Sequence, residues 1–195
     1  MNRTEQRKLT TRRLVLGAVF TAFVIVLQSL ATFTTFFGPF STAVGLIPIV
    51  LGAAMCGTGV GAWLGFVFGV VVLATGNAAL FFAFDVPGTV VTVLLKGTAC
   101  GIAAGLTYKL LAKINRYVAV IGAAIICPIT NTAVFLLGCY AFFMDSATAI
   151  ATTVGLSVGG MAVFWALAMG NFIIEVVTNA VLSPIVFRVL NIKKF

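Results

Sequence analysis

The sequence predicts an all-α integral membrane protein with six transmembrane helices and both termini in the cytoplasm. Hydrophobic residues make up 62% of the 195 residues, charged residues make up only 8%, and the mean hydropathy is +1.20. A chain of this composition has too little polar surface to cover itself in water, so lipid is its expected solvent. The number and orientation of the helices follow from the spacing of the apolar stretches and the placement of the basic residues.

Six apolar stretches divide the chain, and we interpret each as one span of a single transmembrane domain, residues 1–195. Their approximate bounds are 13–32, 44–56, 59–76, 87–111, 117–143 and 158–189. The second and third stretches are short compared with the roughly 20 residues that a helix needs to cross a bilayer. We expect a tight hairpin between them, at the sequence CGTGVG.

The basic residues decide between one long helix and two short helices across residues 44–76. Eleven of the twelve Lys and Arg lie in the N-terminal tail, between residues 109 and 116, or near the C-terminus. Because basic loops stay in the cytoplasm, an even number of spans must separate these clusters, and two short helices give that number. The outer connections then lie near 33–43, 77–86 and 144–157. They contain no Lys or Arg, and two of them contain an aspartate, Asp85 or Asp145.

The N-terminal sequence MNRTEQRKLTTRR and the apolar run after it resemble a signal peptide. The run continues to about Ala31 without the usual small-residue cleavage site, so we expect a helix that stays in the membrane. The net charge of +8 comes from basic clusters beside the spans, which indicates topology and not nucleic-acid binding.

Metal, cofactor and disulfide chemistry are not expected. The chain has no histidine, and its four cysteines form no CxxC pair. All four lie within or at the ends of apolar stretches, so we expect them to be small buried residues. They are Cys56, Cys100, Cys127 and Cys139.

Small residues recur every four positions on three spans, which lets helix backbones approach closely in lipid. We expect the two glycine faces to pack within the protein, and the alanine pair of the first span to pack either within it or against a partner. The residues are Gly57, Gly61, Gly65 and Gly69, then Gly97, Gly101 and Gly105, and then Ala18 and Ala22.

Four polar residues fall near the middle of the membrane on three different spans. Lys96 lies about ten residues, or about 15 Å, into the fourth span. Asn131 on the fifth span, and Asn171 and Glu175 on the sixth, lie at similar depth. Intramembrane charges cost roughly 2.5–3.5 kcal/mol each, so they usually face a cavity or a partner. We therefore expect these side chains to converge.

Helical spacing groups further polar residues with this set. Thr89 and Thr92 precede Lys96 at intervals of three and four, which predicts a polar stripe leading outward from the lysine. Asn179 extends the spacing of Asn171 and Glu175 by four.

Three explanations for the charges remain open at this stage. One is a buried Lys96–Glu175 ion pair that holds two helices in register. Another is a cavity in which Lys96 meets an anionic or strongly polar ligand, which we favour, and the third is a proton relay. The first two are compatible, because Glu175 could hold the lysine until a ligand arrives. Asn131 could likewise serve helix packing or contact the ligand.

Aromatic residues in the outer connections predict lids over a site. Phe36 and Phe37 directly precede the Gly38-Pro39 turn, and Phe81 and Phe84 lie in the next outer connection. The sequence shows no catalytic constellation and no phosphate-binding loop, so we expect no enzyme activity. Active transport would need energy from a partner or an ion gradient.

The chain resembles the substrate-binding S component of an energy-coupling factor (ECF) transporter. The resemblance covers the six spans, the Ala18-xxx-Ala22 spacing and the sequence LIPIVLGAAMCGTGVGAWLGFVFG. The sequence PITNTAVFLLG is similar to that of the branch containing riboflavin, folate and pantothenate S components.

The resemblance implies that the protein captures a vitamin from outside the cell and docks on a transmembrane T component driven by two ATPase subunits. By the same resemblance, it would then topple to release the vitamin inside. Ala18 and Ala22 would contact the T component, and the ligand would lie near Lys96, Asn131 and Asn171. Pantothenate is favoured, because a lysine suits its carboxylate and Thr and Asn side chains suit its hydroxyls and amide. Folate and riboflavin remain alternatives.

Two further classes of function remain open from the residues. One is a self-sufficient proton-coupled carrier that uses Glu175 and Lys96, although no inverted repeat is visible. The other is a non-transporting assembly protein, for which charges at the middle of the membrane would be unneeded.

Overall fold

The computed structural model describes residues 3–34 and 45–192, which are almost wholly helical. Eight helices and no strand occur within these ranges. The helices are α1 (Arg3–Thr34), α2 (Leu46–Cys56), α3 (Thr58–Ala74), α4 (Ala79–Phe82), α5 (Val86–Leu111), α6 (Arg116–Phe142), α7 (Ala147–Thr153) and α8 (Met161–Ile192). The all-α prediction is confirmed, and each of the six apolar stretches overlaps one of the longer helices.

Four of these helices are long and apolar enough to cross a membrane. The spanning segments are Thr11–Ala31, Val86–Leu111, Arg116–Phe142 and Met161–Pro184. By contrast, α2 has 11 residues and α3 has 17. At 1.5 Å per residue they rise about 16 Å and 25 Å, less than the hydrocarbon thickness of about 30 Å. The count of six complete spans therefore stays a prediction.

Local sequence explains where the helices begin. The carboxylate of Asp85 accepts a hydrogen bond from the backbone N–H of Gly88 (3.1 Å) and so caps α5, whose first turn contains Pro87. The side-chain oxygen of Asn115 accepts from the N–H of Tyr117 (2.8 Å) and caps α6. Between α2 and α3, Gly57 adopts φ +100°, a conformation that suits glycine.

A seam of glycines joins α3 to α5 in antiparallel fashion. A methyl group added at Gly65 would overlap the carbonyl oxygen of Gly97, and one at Gly61 would meet that of Gly101. The two backbones are thus in direct contact, which confirms that the glycine faces pack within the protein. Gly57 was predicted to belong to this face but instead forms the turn before α3, with open space around it.

The helix pairing brings the basic clusters to one end of the bundle. Gly17 of α1 lies beside Val60 near the start of α3, and the rings of Tyr117 and Phe187 contact one another at the start of α6 and the end of α8 (5.1 Å between centroids). We call the end of the bundle where α3 and α6 begin and α8 ends the basic end. Its exposed cations include Arg12, Arg13, Lys109, Lys113, Arg116 and Arg188. The short helices α4 and α7 and both aspartates lie at the opposite end.

The glycine seam yields a stability prediction. Gly65→Ala should lower the free energy of unfolding by about 1–3 kcal/mol, because the new methyl group overpacks against a backbone oxygen that cannot move aside. Gly59→Ala is the matched control, since it is in the same helix with open space around it. Melting temperatures in detergent would measure both variants. Equal melting temperatures would contradict the close contact of α3 with α5.

Candidate ligand-binding cavity

A cavity of about 300 Å³ lies between α1, α3, α5, α6 and α8. Its cover at the end opposite the basic end is formed by residues 77–81 and by Val154. Its lining is both polar and aromatic. The polar lining residues are Gln28, Asn77, Lys96, Asn131, Thr132, Asn171 and Glu175, and the aromatic ones are Phe68, Phe81 and Phe135.

The four polar residues singled out by depth all line this one cavity. Lys96 comes from α5, Asn131 from α6, and Asn171 and Glu175 come from successive turns of α8. Their meeting requires α5, α6 and α8 to pack side by side, which they do. The structure thus brings these side chains together, and their role in ligand binding stays a prediction.

Lys96 is held by an aromatic ring and by a negative charge. Its Nζ lies over the ring of Phe135, 5.3 Å from the centroid, and the lysine also interacts electrostatically with Glu175. The Glu175 carboxylate is buried and accepts a hydrogen bond from Asn131 Nδ2 at 3.3 Å. Among the described residues, no hydrogen bond joins Lys96 to Glu175. Lys96 is therefore attracted to Glu175 without being fixed to it.

Two amide oxygens in the cavity have no hydrogen-bond partner within the described protein. They are Oδ1 of Asn131 and Oδ1 of Asn171, both buried. An unsatisfied buried acceptor costs about 1–3 kcal/mol, so most such groups in proteins have a partner. A small molecule with two suitably spaced N–H or O–H donors would satisfy both oxygens.

Thr89 and Thr92 do not line the cavity. The Thr89 hydroxyl donates to the carbonyl oxygen of Asp85 in the first turn of α5, and the Thr92 side chain packs against Gly138 of α6. The threonine face of α5 therefore turns into the contact with α6, where the absence of a side chain at Gly138 leaves room for it. The outward-leading polar stripe predicted from spacing is part of a helix interface.

The polar residues that follow Glu175 on α8 make hydrogen bonds within that helix. Asn179 Nδ2 donates to the backbone oxygen of Glu175 (2.8 Å). Ser183 Oγ donates to the carbonyl oxygen of Ala180 (2.8 Å), a group that Pro184 cannot bond because proline lacks an N–H. These residues maintain the helix, and the face open to a ligand ends at Glu175.

The predicted lid residues have different positions. Phe81 lines the cavity and makes edge-on contacts with Phe135 (5.5 Å) and Phe143 (5.1 Å). Phe84 packs instead into the apolar core formed by α6, α7 and α8. Phe36 and Phe37 lie outside the described residues.

Sequence reasoning missed three polar lining residues: Gln28, Asn77 and Thr132. Gln28 is only 2% exposed, and a methyl group added at Gly45 would come within 2.9 Å of its Oε1. In the sequence, Gln28 is a single amide within the apolar run of the first span. Asn131 stands in the fifth span in the same way. Thr132 and Asn77 gave no signal that separates them from ordinary helix and turn residues.

Ala18 and Ala22 are exposed on the outer surface of α1. The small-residue face is therefore not covered by the described part of the protein, and its docking on a partner stays a prediction. The four cysteines are buried, as expected, and they are free in this structure. Within the described residues, no three His, Cys, Asp or Glu side chains are grouped in a way that could hold a metal ion.

A second depression lies between α6 and α8 and is larger, about 590 Å³. Its lining is apolar except for Thr132 and the hydroxyl of Tyr140, and it includes exposed Leu137 and Trp165. Because this groove is apolar and both of its walls are helices long and apolar enough to cross a membrane, we expect it to face lipid. The smaller polar cavity is the candidate site for a polar ligand.

The fold and the cavity define a class of protein, namely a multi-pass membrane protein with an internal site suited to a small polar molecule. The family model described as "ECF transporter, substrate-specific component" matches residues 12–187. The chain belongs to this family, so it is a substrate-binding transport subunit of the cell membrane and not an enzyme. The family implies a transporter complex with T and ATPase subunits. No curated protein and no solved structure gives a significant match.

The unsatisfied amide oxygens generate a prediction. Asn171→Leu should raise the stability of the ligand-free protein by about 1 kcal/mol, because it removes a buried acceptor without a partner, and it should weaken ligand binding. Thr92→Val is the matched control, since its hydroxyl is also unsatisfied but lies outside the cavity. Melting temperature and ligand retention would be measured on both purified variants. Equal loss of ligand from both would contradict the assignment of the cavity.

Proposed function

We propose that the chain is the S component that captures pantothenate from outside the cell for an ECF transporter. The observation that carries this proposal is the combination of one cavity lysine with two unsatisfied amide oxygens. Pantothenate offers a carboxylate for Lys96, and its hydroxyls and amide N–H are donors for Asn131 and Asn171.

The size of the cavity supports this ligand over folate. Small-molecule sites have volumes of about 300–1,000 Å³, and this cavity, at about 300 Å³, lies at the lower limit. Folate is also anionic but has two ring systems and a glutamate, so it needs more room. Riboflavin remains the second candidate, because the rings of Phe68, Phe81 and Phe135 give the cavity aromatic walls on which a flavin could stack.

The orientation of the bundle supports capture from outside. The basic end is expected to face the cytoplasm, which places α4 and α7 at the outer surface above the cavity. Phe81 would then close the entrance through its contacts with Phe135 and Phe143. The exposed Ala18–Ala22 face of α1 would dock on the T component, and both ATPase subunits would supply the energy.

The ligand proposal is tested by purifying the chain alone. An S component should retain its vitamin without the ATPases, and mass spectrometry should identify pantothenate in the purified protein. Lys96→Gln should weaken pantothenate binding by roughly tenfold to a hundredfold, because a charge-assisted hydrogen bond is lost, worth about 1.5–3 kcal/mol. Isothermal titration would measure the affinity.

Lys109→Gln at the basic end is the control for charge removal, and it should bind as the wild type does. Pantothenol, the alcohol analogue of pantothenate that lacks the carboxylate, should lose little affinity in Lys96→Gln. Equal losses for the acid and the alcohol would refute the carboxylate contact. Uptake of the vitamin into vesicles that contain the chain but no ATPase would support a self-sufficient carrier instead.

The docking proposal is tested on the outer surface of α1. Ala18→Trp should abolish vitamin uptake by the whole transporter while leaving binding to the isolated chain intact, because a large ring blocks close helix contact. Ala180→Trp, at an exposed alanine of α8, is the matched control and should leave both properties unchanged. Normal uptake with Ala18→Trp would remove the docking assignment.

A further inference from the structure

The charges of the cavity balance when no ligand is bound. Of the described residues that line it, Lys96 and Glu175 carry a formal charge, one positive and one negative. They interact electrostatically, so each reduces the cost of burying the other. An anionic ligand that enters this cavity adds a negative charge that the protein side chains alone do not balance.

Among the described residues, the surroundings of Glu175 offer no second cation. Lys96 faces it from α5 and Cys127 from α6, and Cys100 of α5 lies next to Cys127. Asn131 of α6 donates the hydrogen bond that the carboxylate accepts. The other helices packed against α8 are α2 and α7, and their sequences, LIPIVLGAAMC and ATAIATT, contain no Asp, Glu, Lys or Arg.

Lys96 is placed so that a ligand can pair with its ammonium group in place of Glu175. Its Nζ lies over the Phe135 ring, and no described hydrogen bond ties it to Glu175. A carboxylate in the cavity can therefore approach the ammonium directly. Glu175 would then share a single cation with a second carboxylate inside a membrane protein, where like charges repel strongly. A buried carboxylate in that position has a lower free energy when it binds a proton than when it stays charged.

We propose that an anionic ligand enters the cavity together with one proton, and that Glu175 binds this proton. The inference rests on the proposed function, because it requires an anionic vitamin at Lys96. The carboxylic acid of Glu175 would keep one oxygen as acceptor for Asn131 and gain an O–H donor. The occupied cavity then has the same net charge as the empty one.

This linkage sets the direction of the pH dependence. The complex holds one more proton than the free protein and free ligand together, so affinity rises as the pH falls. The dissociation constant should increase by about tenfold per pH unit where Glu175 is ionised in the free protein. A vitamin would bind more tightly in a mildly acidic exterior than at the higher pH of the cytoplasm.

The experiment is isothermal titration of the purified full chain with sodium pantothenate in two buffers that differ in ionisation enthalpy. The difference between the observed heats gives the number of protons taken up. We expect a value near one for the wild type and near zero for pantothenol. Glu175→Gln should bind without proton uptake, and its dissociation constant should no longer change with pH. Asp145→Asn, at an exposed carboxylate remote from the cavity, should behave as the wild type does.

The outcomes separate this inference from the function on which it rests. Binding of pantothenate by the wild type without proton uptake overturns the inference and leaves the proposed function standing. Failure of pantothenate to bind overturns the proposed function, and if folate also fails to bind, the inference is overturned with it. If Glu175→Gln does not fold, the two-buffer measurement on the wild type still decides whether one proton enters with the ligand. Equal proton uptake for pantothenate and pantothenol would also overturn the inference, because it would not depend on the ligand's charge.

Discussion

The burial of polar side chains at the middle of the membrane is the constraint on which the rest of this structure depends. A charge at that depth costs about 2.5–3.5 kcal/mol on insertion scales. The bundle offsets part of this cost by placing Lys96 over Phe135 and near Glu175, and by donating a hydrogen bond from Asn131 to Glu175. Two amide oxygens, those of Asn131 and Asn171, have no hydrogen-bond partner in the part of the chain that the structure describes. A ligand with suitably placed N–H or O–H donors can supply the hydrogen bonds that the protein itself does not make.

The glycine seam between α3 and α5 fixes the position of the lysine. Gly97, the residue after Lys96, has its backbone against Gly65, so this turn of α5 cannot shift without opening the seam. On another face of α5, Thr92 fits against Gly138 of α6. The backbone under Lys96 is thereby held from two sides, while no described hydrogen bond fixes its side chain to Glu175. A site held in this way loses little entropy in its backbone when the ligand binds.

The depth of a polar residue in the membrane and its charge could be predicted from the sequence. The rotation of a helix about its own axis could not. Lys96, Asn131, Asn171 and Glu175 share a cavity because their distances from the span ends agree, and counting residues was enough to find that. The face occupied by Thr89 and Thr92 depends on how α5 is turned against α6, which is decided by the packing at Gly138. No periodicity in α5 alone contains that information.

The same limit applies to the ends of helices and to single polar residues. The turn at Gly57 was predicted, but its exclusion from the glycine seam depends on a backbone angle, φ +100°. The short length of α2 is visible in the sequence as a short apolar stretch. Whether its 11 residues cross the bilayer depends on how the neighbouring helices pack around them. Gln28 was overlooked although it is a single amide within the apolar run of the first span, the same kind of signal as Asn131 in the fifth.

The burial of all four cysteines gives the protein a practical property. Cys56, Cys100, Cys127 and Cys139 are enclosed by helices, so water-soluble thiol reagents have little access to them while the bundle is intact. A single cysteine introduced at an exposed connection would be the main reactive thiol of the folded chain, without removal of the natural ones. The natural cysteines would react only when the helices separate, so their labelling would report the integrity of the bundle.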